Sequence, residues 1–119
     1  LELAAARGHL VLAARAAGCL AIDTPYTDLK DEAGLEAETR RVRQMGYSGK
    51  LLIHPGQIEP VHRAFAPSDE EIGWARRVLE AFEAATARGE GVIALEGKMI
   101  DRPVVERARE LLAPAGDDH

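Results

Sequence analysis

The sequence predicts an α/β fold built on parallel strands, and three observations predict it. Two short apolar runs, Cys19-Leu20-Ala21-Ile22 and Lys50-Leu51-Leu52-Ile53, each follow an amphipathic helical pattern that closes at a glycine, Gly18 or Gly46, where a helix end favours a left-handed residue. Each run then delivers a polar side chain, Asp23 or His54, at its carboxyl end. The order helix, strand, helix, strand has a parallel pair with right-handed crossover as its economical solution. In α/β folds ligands bind at the carboxyl ends of such strands.

The bulk composition narrows the function classes. The chain has 119 residues, 46% of them hydrophobic but only 4% aromatic, so burial must come mainly from Leu, Ile, Val and Ala. A formal net charge of −5 argues against nucleic acid, whose phosphates call for clustered Lys and Arg. The single cysteine, Cys19, allows no disulfide framework and reads as a small buried hydrophobe in a reducing compartment. No run approaches the ~20 apolar residues of a membrane span and no signal-peptide pattern is present. The expectation is a cytoplasmic protein with no membrane partner. The chain opens at Leu1 inside a helical pattern and without methionine, and so reads as the tail of a longer protein.

Taken in order, Leu3, Ala6, Leu10, Val11, Ala14 and Ala17 recur at helical spacing, with Arg7 and Arg15 placed elsewhere on the wheel. The loop 23–31 is long for a strand-to-helix turn and carries Asp23, Pro25, Tyr26, Asp28 and Lys30. Such loops are where these folds keep function. Asp31 can cap the next helix, whose stripe is Leu35, Thr39, Val42 and Met45. Residues 57–65 read as a short helix that tolerates Pro60 only in its first turn, and Pro67 ends it. Ser68-Asp69-Glu70-Glu71 is a capping box opening a helix with Ile72, Ala75, Val78, Leu79 and Phe82 inward and Trp74 on its flank. Residues 92–95 and 98–100 form a hairpin around Glu96-Gly97, and a last helix spans about 103–112. The expected organisation is residues 1–66 as one part, 67–113 as a second, and 114–119 as a disordered tail.

These residues carry a resemblance. The blocks Ala16-Ala17-Gly18, Ala21-Ile22-Asp23-Thr24-Pro25-Tyr26, Gly34-Leu35, Gly46-Tyr47-Ser48-Gly49-Lys50, Ile53-His54-Pro55-Gly56-Gln57-Ile58, Pro67-Ser68 and Glu96-Gly97-Lys98-Met99-Ile100-Asp101 resemble, in order, the C-terminal third of the citrate lyase β-subunit-like and malyl-CoA lyase proteins of the HpcH/HpaI aldolase superfamily. The resemblance implies a (β/α)8 TIM barrel, which needs roughly 250 residues. These residues would hold only the last two βα units plus a C-terminal helical and β-hairpin flap.

The resemblance also implies a Mg²⁺-dependent enzyme that makes or breaks a carbon–carbon bond beside an acyl-CoA thioester. Its metal ligands would lie upstream, so no metal ligand is assigned here. Asp101 is implied as the carboxyl that exchanges a proton with the thioester enolate, from a flap covering a neighbouring subunit's barrel. From the residues alone it reads first as the N-cap of the following helix, and the resemblance reverses that preference. Asp23 either bonds substrate or orients its loop. Pro25 and Tyr26 are similar to loop positions that line the pantetheine of CoA, or simply shape the loop. His54, restricted by Pro55, reads as a buried residue fixing its turn. Lys98 reaches a CoA phosphate or is a solvated hairpin residue. The expected substrate is malyl-CoA, citramalyl-CoA or a citryl group, on CoA or on a carrier protein, and the expected assembly is a trimer or dimer of trimers. Two alternatives stand beside the lyase: a thioesterase using the same enolate site, and a non-catalytic half-barrel that completes a partner chain.

Overall fold

The computed structural model describes residues 2–91 and 93–113. It is an α/β chain that divides into two compact units, Leu1–Ala66 and Pro67–His119. No helix among the described residues is long and apolar enough to cross a membrane.

The first unit runs α1 (Ala4–Ala16), β1 (Ile22–Asp23), α2 (Glu32–Met45), β2 (Gly49–Lys50), a 3-10 turn (Pro55–Gln57) and α3 (Ile58–Phe65). The strands are parallel, with Ile22 opposite Gly49 and Asp23 opposite Lys50, and α2 is the crossover between them. The ladder extends one bond to either side, from Ser48 N–H to the Ala21 carbonyl (2.8 Å) and from Leu51 N–H to the Asp23 carbonyl (2.9 Å). The strands are shorter than the four-residue apolar runs suggest. Each has a single neighbour among the described residues, and backbone outside that pairing has no ladder to join.

Asp31 begins α2 by accepting the Gly34 N–H at 2.9 Å, and Gly46 closes it with φ 103°. That glycine is required twice over, because a Cβ there would also meet Val11 Cγ1 at 3.0 Å. Leu35, Thr39 and Val42 face inward as expected, and the buried Thr39 hydroxyl donates to the Leu35 carbonyl at 2.7 Å. The core joins Val11, Ala21, Val42 and Tyr47, with Ala14, Met45 and Phe65 packed on it.

Helix α1 departs from its expected face. Its inward side is Ala4, Arg7, Gly8, Val11 and Ala14, while Leu3 and Leu10 are 64% and 55% exposed. Arg7, expected on the polar side, turns in because the buried Asp23 carboxylate takes its guanidinium at 2.8 Å. The Tyr47 hydroxyl also donates to the Arg7 carbonyl at 3.2 Å. Cys19 is exposed rather than buried, because it lies in the connection between α1 and β1, outside the paired strand.

The second unit holds α4 (Asp69–Ala87), β3 (Ile93–Leu95), β4 (Lys98–Ile100) and α5 (Arg102–Leu112). The capping box forms in both directions, Glu71 N–H to Ser68 Oγ at 3.1 Å and Ser68 N–H to Glu71 Oε1 at 3.2 Å. Helices α4 and α5 share a core of Ala75, Val78, Ile100, Val105 and Ala108, flanked by Trp74, Leu79 and Phe82. The antiparallel hairpin pairs Leu95 with Lys98. Its two turn residues, Glu96 and Gly97, have φ 52° and 78°, the pair of positive values that a type I′ turn requires. Val92 and the expected disordered tail 114–119 lie outside the described residues.

Candidate functional site

The sheet of the first unit presents two different faces. Ala21, Asp23 and Lys50 point towards α1 and α2, while Leu20, Ile22, Leu51 and Ile53 are exposed on the other side. The polar strand-end residues are therefore engaged with the helices. Asp23, 3% exposed, receives Arg7 on Oδ1 at 2.8 Å and the Lys50 ammonium on Oδ2 at 2.7 Å. Lys50 Nζ has a fully buried side chain and also donates to the Thr24 carbonyl at 2.8 Å, with Glu38 Oε2 at 3.4 Å. Burial pushes the Asp23 carboxyl up, but the hydrogen bonds from Lys50 and Arg7 outweigh it and hold the carboxyl below its ordinary 3.8. Two cations and two carboxylates thus satisfy one another inside the unit.

The loop after β1 is anchored at three points. Lys50 grips its first carbonyl, that of Thr24. At its far end the Tyr26 hydroxyl donates to Asp31 Oδ2 at 2.7 Å. That bond, with some burial and the Asp31 charge, pushes the phenol up to about 12, and it lowers the Asp31 carboxyl together with the Gly34 N–H. Between these, the Tyr26 carbonyl accepts from Gln57 Nε2 at 2.9 Å. Pro25 and Tyr26 are half-buried, while Thr24, Thr27, Asp28, Leu29 and Lys30 are exposed. The loop thus lies open along the carboxyl ends of the strands.

Gly34 sets how closely the loop lies on α2. A Cβ at that position would overlap both Asp31 Oδ2 and the Tyr26 hydroxyl. Helix propensity alone favours Ala over Gly by about 1 kcal/mol. We expect Gly34→Ala to reverse that sign and destabilise by about 1–3 kcal/mol through overpacking, read as a lowered urea midpoint; a stabilised variant would refute the close approach.

His54 is exposed rather than buried, yet it does fix its turn: its Nδ1 accepts the Gly56 N–H at 2.9 Å. It lines a shallow depression with Leu52, Ile53, Pro55 and Ile58. Asp101 belongs to the second unit, where its exposed carboxylate accepts the Val104 N–H at 3.2 Å as the N-cap of α5. Lys98 is exposed on β4. The structure therefore gathers Asp23, Pro25 and Tyr26 on one strand end and its loop, with Asp101 in a separate unit.

Sequence reasoning missed Lys50, Arg7 and Gln57 as members of this strand-end cluster. The one signal that could have found Lys50 is a charged residue opening an otherwise apolar strand. No group of three or more His, Cys, Asp or Glu side chains among the described residues could hold a metal ion. With Asp23 taken by two cations, these residues do not fit a Mg²⁺ site.

The HpcH/HpaI aldolase/citrate lyase family profile matches residues 1–55. The chain is 48% identical over 114 residues to the citrate lyase subunit beta of Escherichia coli strain K12, covering 96% of this chain and 38% of that protein. It is 44% identical over 115 residues to a (3S)-malyl-CoA thioesterase of Cereibacter sphaeroides, covering 97% and 40%. Among solved structures it is similar to CitE from Mycobacterium tuberculosis in complex with magnesium, acetoacetate and coenzyme A. The TM-score is 0.74 at 42% identity, over 89% of this chain and 38% of that one. The chain thus spans about two fifths of the length of the curated relatives it matches.

Proposed function

Because the chain belongs to the HpcH/HpaI aldolase/citrate lyase family through residues 1–55 and its likeness to citrate lyase β subunits, we propose that it is the C-terminal part of a Mg²⁺-dependent carbon–carbon lyase. Its substrate is a hydroxyacyl-CoA of the malyl, citramalyl or citryl type. The observation that carries this reading is the likeness, along most of the chain, to a protein holding magnesium, acetoacetate and coenzyme A. The bare apolar face of Leu20, Ile22, Leu51 and Ile53 supports a partial TIM barrel, because parallel strands in a closed barrel are covered on both faces. In this reading the missing strands and the metal ligands lie upstream, and the 119 residues alone are inactive.

Cleavage of such a thioester requires a base to take the substrate's hydroxyl proton, the carbon–carbon bond to break, and the resulting thioester enolate to accept a proton at carbon. Asp101 supplies the carboxyl for that last transfer, acting on a neighbouring subunit's barrel in a trimer or dimer of trimers in the cytoplasm. The backbone at Pro25 and Tyr26 receives the pantetheine arm. Asp23 serves the substrate through the loop it anchors, since Arg7 and Lys50 hold both its oxygens.

Hydrolysis of the thioester is the second reading, favoured by the likeness to a malyl-CoA thioesterase. A product assay on the complete polypeptide with Mg²⁺ separates the two. Malyl-CoA or citramalyl-CoA should yield an acyl-CoA and a keto acid in equal amounts. Free CoA with the intact hydroxy acid would move the assignment to the thioesterase. No turnover of any thioester would overturn both.

A further inference from the structure

Gln57 is a buried polar residue that the chemistry above leaves without a task. It is 4% exposed, ends the turn Pro55–Gln57, and uses both ends of its amide. Oε1 accepts the Ile53 N–H at 3.0 Å and Nε2 donates to the Tyr26 carbonyl at 2.9 Å. One planar group thus ties the backbone after β2 to the backbone after β1, joining the two loops at the carboxyl ends of the parallel pair. The β1 loop has its own anchors at its ends, Lys50 on Thr24 and the Tyr26 hydroxyl on Asp31. Gln57 grips the main chain between them.

We propose that Gln57 is a positioning residue for the CoA thioester, fixing the Tyr26 carbonyl and with it the loop edge along which the amide-bearing arm of CoA lies. This rests on the reading of the chain as part of a CoA-thioester enzyme. The chemistry is specific to an amide. A leucine would leave a backbone donor and a backbone acceptor unpaired. An ionised glutamate could accept from Ile53 but not donate to Tyr26, and it would set a negative charge against a carbonyl oxygen. A protonated glutamic acid can do both, its carbonyl accepting and its O–H donating.

That last property makes the test selective. Calorimetric titration of free CoA into the complete polypeptide, as wild type, Gln57→Glu and Gln57→Leu, would be run from about pH 8 to about pH 5.5, spanning the raised range expected of a buried carboxyl. At the upper end Gln57→Glu should bind CoA about tenfold more weakly, the scale of one unmet buried hydrogen bond, and Gln57→Leu, which leaves two backbone groups unpaired, at least as weakly. At the lower end Gln57→Glu should return to within about twofold of wild type as its carboxyl gains a proton, while Gln57→Leu should not. Wild type through the same series corrects for titration of the neighbouring groups: Tyr26 and Asp31 on the loop, His54 on the turn, and Asp23 and Lys50 at the strand ends.

Unchanged affinity in both variants, or weakened binding by Gln57→Glu with no recovery in acid, would overturn the proposal and leave Gln57 a purely structural residue. If Gln57→Leu does not fold, the pH response of the isosteric Gln57→Glu decides alone. Absence of CoA binding by the wild type would overturn the functional reading itself, and this inference with it, so the two failures are told apart.

Discussion

Lys50→Met is expected to destabilise the protein by about 3–5 kcal/mol, the cost of leaving one partner of a buried ion pair behind. Methionine has a similar length, so what is lost is the charge and its hydrogen bonds to Asp23 and to the Thr24 carbonyl. Asp23 would keep Arg7 at 2.8 Å, which places the effect towards the lower end of that range. The pH dependence follows from the Asp23 carboxyl, which the fold holds below its ordinary 3.8 despite burial. A carboxyl lowered on folding stabilises the native state above its unfolded pKa and loses that contribution as pH falls through the folded value. Removing Lys50 takes away part of what lowers it, so the variant's carboxyl protonates sooner and escapes its buried charge. Urea midpoints of wild type and variant should therefore differ most near neutral pH and converge as pH falls below the ordinary carboxyl value of 3.8. Equal midpoints at neutral pH would refute the buried pair. Lys50→Met combined with Asp23→Leu should cost less than the sum of the two single substitutions, because the contact the two residues share is lost only once.

In the complete polypeptide, Asp101→Asn should lower turnover of the thioester by about a hundredfold or more, the scale of a lost acid or base, while leaving the fold intact. The comparison separates the observed cap from the proposed proton carrier. As an N-cap, Asp101 accepts the Val104 N–H at 3.2 Å, and asparagine does this nearly as well. As a proton carrier it needs a carboxyl, which asparagine lacks. Asp101→Ala should show the same kinetic loss together with a stability loss of about 1 kcal/mol from the missing cap. If Asp101→Asn kept wild-type turnover while Asp101→Ala lost stability, Asp101 would be a cap and nothing more, and the proton carrier would have to be sought elsewhere.

Much of the local structure was legible from the residues. Asp31, Gly46, the Ser68–Glu71 box and the Glu96-Gly97 turn all appear where the chain announces them. The parallel pairing also follows, because only a crossover joins two strands with a helix between. The inward face of α1 was not legible. Its apolar stripe is broad and weakly one-sided, and a single buried carboxylate was enough to turn Arg7 inward and leave Leu3 and Leu10 exposed. Cys19 misled for a different reason: the apolar run in the sequence is longer than the paired strand, and Cys19 falls in the connection before it.

The sequence by itself determined the α/β class, the helix ends and turns, and the kinship of the chain. Each depends on backbone dihedrals and on side chains within about four positions, or on the order of short blocks. Only the tertiary structure decided what meets at the strand ends. Lys50 finds Asp23 across 27 positions, and Gln57 finds Tyr26 across 31. Those partners are selected by the register of two strands and the need of every buried charge and amide for a complement, conditions that exist only once the chain has folded.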